Sequence, residues 1–473
     1  MTRTPYEQLL DPCTKHVAES SSNYHSLSER HLHAVWFEQK YLRPLETSEG
    51  DPIEILSPGI WNIEAGPDFL KAHVKIGENE FRGDIELHLN DEGWTQHQHH
   101  KDPGYDNVIL HISLWEPARP KPVITHAGDK IPRTYLDPKL TISHRRLIQL
   151  IDLDLYPYKQ FTGSGNCSST LFQHIHKEEI QSLMRYAADW RLKQKSEFLR
   201  AHVEDPGLRV GAGIAMALGY KQNTYQFLQL FNQLLTFQDR SQEDLLAQAM
   251  GICGFFREKY EQKWTESPKY KKLRNFPRSD SLHIPLQLSQ IRPYNHPIRR
   301  LVYLTFLLRD RKLHSLEKNL HDTWDQNWSQ LDCKDLRQQL QEVIPEYPDA
   351  YWNHHYTFEL ESKKEFLSLI GEQLKNSILI NTFLPLLRQN ILGRGHSDEI
   401  QAFRSFYSTF PSSKTNKIKY LTHRFLGDTG KSSLFNKAFI EQGAYQIHRD
   451  FCQHYEASCE GCPFVDRYKS AFR

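Results

Sequence analysis

The chain has 473 residues, 38% of them hydrophobic and 25% charged, and its formal net charge is +1. This length exceeds what one hydrophobic core supports, so we expect two or three domains, and the composition excludes a disordered chain. The nearly balanced charge excludes a general attraction for nucleic acid, so any contact with it needs a local basic patch.

Three further features indicate the compartment. The sequence contains no run of about 18 apolar residues, which a membrane-spanning helix needs. Its N-terminus lacks the apolar segment of a signal peptide, and seven cysteines are too few for a secreted disulfide scaffold. We therefore expect a cytoplasmic protein that does not bind membranes. Its protein partners are not predicted.

The predicted elements change character along the chain. A helix is expected to begin at Ser26, which forms a capping box with Glu29. Short apolar runs bounded by Gly, Pro or Asn then predict strands, with a hairpin turn at the sequence IGENEF. These runs are IEIL, AHVKI, DIELHL, NVILHISLW and KPVITHA. From about residue 170, apolar residues recur at helical spacing. The expected fold class is mixed α+β, in four parts: a loosely structured N-terminus (1–25), an α/β domain with a helix and a mixed sheet (26–160), a mostly α-helical region (170–445) and a Cys-rich C-terminal segment (446–473).

One predicted strand and its neighbour concentrate acidic and histidine side chains. In the sequence DIELHL, the apolar residues alternate with Asp84, Glu86 and His88, which therefore share the other face of the strand. In VILHISL, His111 lies opposite the apolar side, and it lies near Glu86 and His88 if the two strands are adjacent. Asp68 precedes the hairpin. The alternative is an ordinary solvated strand face.

The segment after this strand adds His97 and His99, which can converge from a loop. Carboxylates from neighbouring strands can hold a divalent metal that lowers the pKa of bound water, and imidazoles can complete such a site. The candidate metal is magnesium or manganese, with zinc as the alternative. The predicted ligands are Asp68, Glu86, His88, His97, His99 and His111, of which Asp68, Glu86 and His88 are the candidate catalytic residues.

Three cysteines near the C-terminus predict a second, structural metal site. Cys459 and Cys462 have the two-residue spacing of a metal knuckle, and Cys452 precedes them by six intervening residues. If the preceding segment is helical, His448 shares a face with Cys452 and completes a Cys3His zinc site, for which His454 is the competing ligand. The alternative is three reduced thiols.

A predicted helix start offers Arg292, Arg299 and Arg300 as phosphate-binding residues. Backbone N–H groups at a helix start and nearby guanidinium groups suit a phosphate. The alternative is a capped helix with solvated arginines.

The stretch from about residue 26 to 112 resembles the core of the PD-(D/E)xK nucleases. There a helix precedes a hairpin that carries Pro-Asp on one strand and an acid-x-Lys triplet on the next. Here Pro67-Asp68 and Glu86-Leu87-His88 occupy these places, and the sequence departs from the pattern at His88, where the nucleases have Lys. Histidine can coordinate a metal or accept a proton but carries no permanent charge.

The C-terminal spacing is similar to the iron–sulfur loop of endonuclease-III-type DNA glycosylases. Tyr468 stands where that loop has its last Cys, so zinc is preferred to an iron–sulfur cluster. Over nearly the whole chain, several stretches resemble the bacterial family called domain of unknown function 2851. They are GPDFLKAHVKI, GDIELHLNDEGWTQHQHHKDPGYDNVILHI, LLAQAMGICGFF, RPYNHPIRRL, NTFLPLL and the final C-x6-C-x2-CP. The resemblance implies a bacterial cytoplasmic protein and brings no activity with it.

Three functional hypotheses follow. The first is a metal-dependent phosphodiester hydrolase that acts on nucleic acid, with the helical region binding substrate. The second is a non-catalytic module on a nuclease-like scaffold that binds nucleic acid or protein, which the replacement of Lys by His88 favours. The third is a zinc-dependent hydrolase of a small molecule, whose metal the histidines hold.

Overall fold

A seven-stranded mixed sheet organises the N-terminal part of the protein. The computed structural model describes residues 4–10, 27–63, 65–151, 153, 156, 163–277, 283–288, 295–359, 362–413, 415–427, 431–454, 459 and 461–472. The strands are β1 (Leu45–Glu46), β2 (Pro52–Ser57), β3 (Ile60–Trp61), β4 (Phe69–Ile76), β5 (Asn79–Asn90), β6 (Val108–Trp115) and β7 (Arg133–Tyr135). Their order is β1-β2-β4-β5-β6-β7, with β3 also paired to β4.

The centre of the sheet is an antiparallel hairpin followed by parallel strands. β4 and β5 pair antiparallel, with Ile76 opposite Asn79, and Gly77 adopts φ +58° in the tight turn between them. The predicted hairpin is therefore confirmed. β6 and β7 then add parallel to β5. The predicted strand KPVITHA is wrong: it makes only an isolated bridge between Ile124 and Lys130, because Pro120 and Pro122 cannot donate to a ladder.

Helices account for most of the remaining described chain. The α-helices are α1 (Pro5–Leu10), α2 (Glu29–Glu38), α3 (Gly93–Gln96), α4 (His144–Leu150), α5 (Lys177–His202), α6 (Arg209–Leu218), α7 (Tyr220–Leu235), α8 (Gln242–Ile252), α9 (Glu258–Trp264), α10 (Pro268–Arg274), α11 (Pro297–Arg309), α12 (Leu316–Asn327), α13 (Cys333–Val343), α14 (Glu372–Ile378), α15 (Leu384–Arg394), α16 (Ser397–Thr409), α17 (Asn416–Leu426), α18 (Ala438–Asp450) and α19 (Phe464–Phe472). The predicted fold class, a mixed sheet followed by a mostly helical region, is confirmed.

The start of α2 differs from the predicted one. The helix begins at Glu29, and the backbone N–H of Ser28 donates to Nδ1 of His31 at 3.1 Å. Ser28 with His31 therefore caps the helix in place of the expected Ser26 with Glu29, and Ser26 lies outside the described residues. The side chain of Glu29 accepts a hydrogen bond from the backbone N–H of Leu89 at 3.3 Å, which ties the helix start to β5.

The main core of this part lies on one face of the sheet, where α2 and α4 pack. Burying these apolar side chains is the main stabilising contribution. Its central members are Leu32, Val35, Trp36, Phe69, Val74, Ile85, Leu87, Leu110, Ile112, Leu114 and Leu147. A smaller apolar cluster is formed by Trp94, Tyr105, Val108, Val123 and Ile131.

The chain divides into two compact units. The first combines Met1–Gln173 with Ile447–Arg473, and the second is His174–Gln446. The unit that holds the sheet thus also includes nearly all of the Cys-rich C-terminal segment (446–473). No helix among the described residues is both long and apolar enough to cross a bilayer.

Candidate metal centre

Strands β5 and β6 carry three ionisable side chains to one face of the sheet. The strands are parallel neighbours, and Glu86 lies opposite His111. Side chains alternate between the faces of a strand. Ile85 and Leu87 therefore enter the main core, while Glu86, His88 and His111 lie on the other face, all three buried. The expected adjacency of the two strands is confirmed.

The segment after β5 covers this face. The ring of Trp94 packs edge-on against His99 at 5.4 Å and against His111 at 5.7 Å, and its Nε1 donates to the carbonyl oxygen of Ile124 at 3.0 Å. Tyr105 stacks on His99 with ring centroids 3.9 Å apart. These aromatic contacts fix the orientation of the imidazole rings.

Three histidines bring their ring nitrogens together. His88, His97 and His99 each offer a nitrogen within 4.8 Å of the others. Nε2 of His88 lies 3.2 Å from Nδ1 of His97 and 3.6 Å from Oε1 of Glu86, which in turn lies 3.1 Å from Nε2 of His99. Donors bound about 2.0–2.1 Å from one zinc ion lie about 3.3–3.4 Å from each other. The three separations of 3.1, 3.2 and 3.6 Å are therefore close to those between atoms that bind one metal ion.

The chemistry of the donors also fits a metal. Nε2 of His99 is buried and has no hydrogen-bond partner among the described residues, although the Glu86 carboxylate lies beside it. A buried polar atom without a partner costs free energy, which a bound cation would offset. Imidazole nitrogens suit zinc or manganese better than magnesium, which prefers oxygen ligands. His97 is exposed, and three protein ligands would leave one coordination position of a bound zinc ion open.

Asp68 lies beside this group. Its backbone N–H donates to Oε2 of Glu86 at 3.1 Å, and its own Oδ2 accepts from the backbone N–H of Leu87 at 2.9 Å. Oδ2 also lies 3.2 Å from Nε2 of His33 on α2. Burial would lower the pKa of His33, but the nearby carboxylates, Asp68 first, outweigh it and raise that pKa.

Burial determines the protonation of Glu86, His88 and His111. It raises the pKa of Glu86 to about 9, with a further contribution from the Asp68 carboxylate. It lowers the pKa of His88 to about 2, together with the neighbouring imidazoles, and that of His111 to about 3, together with Arg133. His88 and His111 are therefore neutral near pH 7, which is the form in which an imidazole donates a lone pair.

Residues that the sequence analysis did not single out complete the surroundings. His33 lies four residues after Glu29, so both share one face of α2, and this spacing was the signal that could have identified it. Asp91 follows the end of β5 and pairs with Arg133 of β7 at 3.2 Å. By contrast, Asp84 lies among other partners: its carboxylate accepts from the backbone N–H of Lys71 and from Asn107, both at 3.0 Å.

The prediction that Arg299 and Arg300 bind phosphate is wrong. Both side chains are fully buried. The guanidinium of Arg299 donates to the backbone carbonyls of four residues, and that of Arg300 donates to the carbonyl of Leu369. The two groups hold loops in place and face no solvent. Arg292 lies outside the described residues.

The C-terminal cysteine site stays a prediction. Cys452, Cys459 and the neighbouring His448 are buried, and Cys462 is half-buried. The backbone N–H of Cys462 donates to the carbonyl of Cys459 at 3.3 Å, and φ is +60° at Cys459 and +71° at Gly461. The two-residue spacing therefore forms a tight turn, as a metal knuckle requires. Residues 455–458 and 460 lie outside the described residues.

Comparison with known proteins gives one match. A family model described as "Protein of unknown function (DUF2851)" matches residues 29–416, a range that includes all the histidines and carboxylates of the centre and ends before the three C-terminal cysteines. No curated protein and no solved structure matches the chain. The chain therefore belongs to the family of proteins of unknown function DUF2851.

Proposed function

We propose that this protein is a metal-dependent hydrolase that cleaves phosphodiester bonds, with nucleic acid as the substrate class. His88, His97 and His99 would hold the metal, and zinc or manganese suits them better than magnesium. The observation that carries the proposal is this group of three imidazoles with the Glu86 carboxylate 3.1–3.6 Å from two of them. A metal bound there would lower the pKa of water and polarise a phosphoryl oxygen.

The protein's own residues supply the remaining chemistry. Burial raises the pKa of Glu86, but a cation bound to the imidazoles would lower it and ionise the carboxyl group. Glu86 would then be placed to accept a proton at Oε1, because that oxygen faces the imidazole nitrogens while Oε2 is held by the N–H of Asp68. Asp68 is a positioning residue for this carboxylate, itself fixed by the N–H of Leu87. Trp94 and Tyr105 cover the imidazoles and limit the access of bulk water.

The order of the elements supports the phosphodiester as substrate. Helix α2, then Asp68 at the start of the β4–β5 hairpin and Glu86 on β5, follow the layout of the nuclease core that the sequence resembles. The proposal also explains why His88 stands where the nucleases have Lys. A side chain that would otherwise be a cationic Lys becomes a neutral metal ligand, and the charge that Lys supplies comes from the metal.

A second candidate, a zinc hydrolase of small esters or amides, is favoured by two observations. Three imidazoles are one of the known ligand sets of catalytic zinc sites. The burial of Arg299 and Arg300 also removes two of the residues expected to bind a phosphate backbone.

The test measures hydrolysis by the purified full-length protein with added Zn²⁺, Mn²⁺ or Mg²⁺. The substrates are bis(4-nitrophenyl) phosphate, single- and double-stranded DNA and RNA, and 4-nitrophenyl acetate. We expect metal-dependent cleavage of the diesters. Activity towards the acetate alone would favour the second candidate, and metal binding without any hydrolysis would favour the non-catalytic module.

Three variants sharpen this test. His97→Ala removes an exposed ligand, and Glu86→Gln removes the proton acceptor but keeps its shape. We expect the first to lower the diesterase rate by more than about 10-fold and the second by about 100-fold or more. The matched control is His126→Ala, since His126 is half-exposed and pairs with Asp106. Equal rates in wild type, His97→Ala and Glu86→Gln would contradict the proposal.

A further inference from the structure

His111 is the fully buried member of the histidine cluster. Its Nε2 lies 2.9 Å from Nδ1 of His88, so one of these two nitrogens donates a proton to the other. On the opposite side of the ring, Nδ1 of His111 faces Oδ1 of Asp91 at 3.7 Å. The ring therefore connects His88 with a carboxylate, and its hydrogen bond to His88 depends on which nitrogen carries the proton.

Asp91 is held in this position by Arg133. Nη1 of Arg133 lies 3.2 Å from Oδ2 of Asp91, which leaves Oδ1 turned towards His111. The strand register reinforces the arrangement, because Arg133 on β7 lies directly opposite His111 on β6. Asp91 and His111 are both buried, at 8% and 0% exposure, so water does not compete for these atoms.

These contacts select one tautomer for each ring. At 3.7 Å the Asp91 carboxylate and Nδ1 of His111 are not hydrogen-bonded, but the negative charge favours an N–H over a lone pair on the nitrogen that faces it. His111 therefore carries its hydrogen on Nδ1 and keeps a lone pair on Nε2. That lone pair accepts the Nδ1–H of His88 at 2.9 Å. The in-plane lone pair of His88 then lies on Nε2, the nitrogen that faces His97 and Glu86 at 3.2 and 3.6 Å. In the reverse tautomer Nε2 of His88 would carry hydrogen and could not bind a cation.

We propose that His111 and Asp91 are positioning residues that fix the tautomer of His88 and thereby direct its Nε2 lone pair into the metal centre. This inference revises the role first expected for His111, which was that of a metal ligand. It rests on the proposed function in one respect, namely that His88 binds the metal. Outer partners of this kind commonly change metal affinity by about 10- to 100-fold.

The most direct test is Asp91→Asn, which is nearly isosteric. Arg133 would hold the amide oxygen, and the amide N–H would face Nδ1 of His111 and favour a lone pair on that nitrogen. The proton of His111 would then move to Nε2 and force the wrong tautomer on His88. We expect Zn²⁺ affinity, measured by competition with a chromophoric chelator, to fall by about 10- to 100-fold. The visible absorption of bound Co²⁺ should shift, because the ligand set changes.

A second pair of variants tests His111 itself. In His111→Gln, the side-chain oxygen can still accept the Nδ1–H of His88, so most of the Zn²⁺ affinity should remain. In His111→Leu it should fall as it does in Asp91→Asn. Circular dichroism and the thermal midpoint confirm folding, and if His111→Leu does not fold, the comparison of Asp91→Asn with His111→Gln decides.

His88→Ala distinguishes a failure of the proposed metal site from a failure of the positioning role. If His88→Ala binds Zn²⁺ as tightly as wild type, the metal centre itself is misassigned, and the proposed function fails. If His88→Ala loses the metal while Asp91→Asn and His111→Leu bind it with unchanged affinity and an unchanged Co²⁺ spectrum, only the positioning role is overturned.

Discussion

At the scale of single residues, Gly93 determines whether His88 has room. An added Cβ at Gly93 would lie 2.5 Å from the ring of His88, a distance that real Cβ atoms do not adopt. Gly93 begins α3, the helix that covers the centre, so the ring packs directly on its backbone. The absence of a side chain at this position is therefore part of what orients the ring of His88.

We expect Gly93→Ala to displace the His88 ring and to lower Zn²⁺ affinity by at least about 10-fold, as other changes that reorient a ligand do. A chelator competition assay measures this. Gly393→Ala is the control, because an added Cβ there meets nothing within 4 Å. Unchanged Zn²⁺ affinity in folded Gly93→Ala would show that the position of His88 does not matter for metal binding.

The sequence alone identified part of this site. Strand alternation predicted that Glu86 and His88 share a face, and the apolar pattern of the next strand placed His111 on the corresponding face. It could not predict His33, Asp91 or Arg133, because they come from a helix, a strand end and another strand that only tertiary packing brings together. His97 and His99 are two positions apart in the sequence, which suggested that their side chains converge but gave no distance between them.

At the scale of elements, the start of α11 resembles a phosphate-binding site in sequence but not in structure. Its first turn carries two arginines, which a helix start would offer to an anion if they were exposed. Instead the helix is buried, and Arg299 donates to the carbonyls of Trp352, His355, Leu367 and Ser368. Burial cannot be read from the position of an arginine in a helix, because a long side chain can point into the core as well as away from it.

Removal of this guanidinium should destabilise the protein without affecting a phosphate site. We expect Arg299→Met to lower the free energy of unfolding by about 3 kcal/mol or more, since several buried carbonyl oxygens lose their donor. Arg309→Met on the exposed face of the same helix should change it by less than about 0.5 kcal/mol. Urea denaturation measures both. Equal effects of the two substitutions would contradict the structural role of Arg299.

The same helix start predicts a pH dependence. Nδ1 of His296 accepts the N–H of Ile298 at 3.3 Å, and burial, with Lys263, lowers the pKa of His296 to about 4. The ordinary value is about 6.5, so the unfolded chain binds a proton in this range that the folded protein does not. The contribution of neutral His296 to the free energy of unfolding is therefore complete above about pH 6.5 and is lost as the pH falls towards about 4.

Between pH 7 and pH 4.5, wild type should lose about 2–3 kcal/mol more unfolding free energy than His296→Gln, which cannot be protonated. Urea titrations of both proteins at the two pH values give this difference. Parallel acid sensitivity in the two proteins would show that His296 is not buried in its neutral form.

At the scale of the whole molecule, the first unit is assembled from both ends of the chain. The hydroxyl of Tyr6 donates to Oδ2 of Asp450 at 3.0 Å, and Arg467 donates to the carbonyl of Leu9 at 3.2 Å. Local patterns predicted many of the helices and strands but not this pairing, because contacts between distant segments depend on the complete fold. The cysteine segment and the candidate metal centre lie in the same compact unit.

We propose that His88, His97 and His99 hold a metal ion, and the metal content of the purified protein is the most direct measurement of this claim. It should be measured by inductively coupled plasma mass spectrometry for wild type, a His97→Ala/His99→Ala double variant and Cys459→Ser. The double variant should lose one equivalent of zinc or manganese relative to wild type, whereas Cys459→Ser should keep that equivalent and lose only the metal of the C-terminal site. A double variant that retains the full metal content of wild type would contradict the claim.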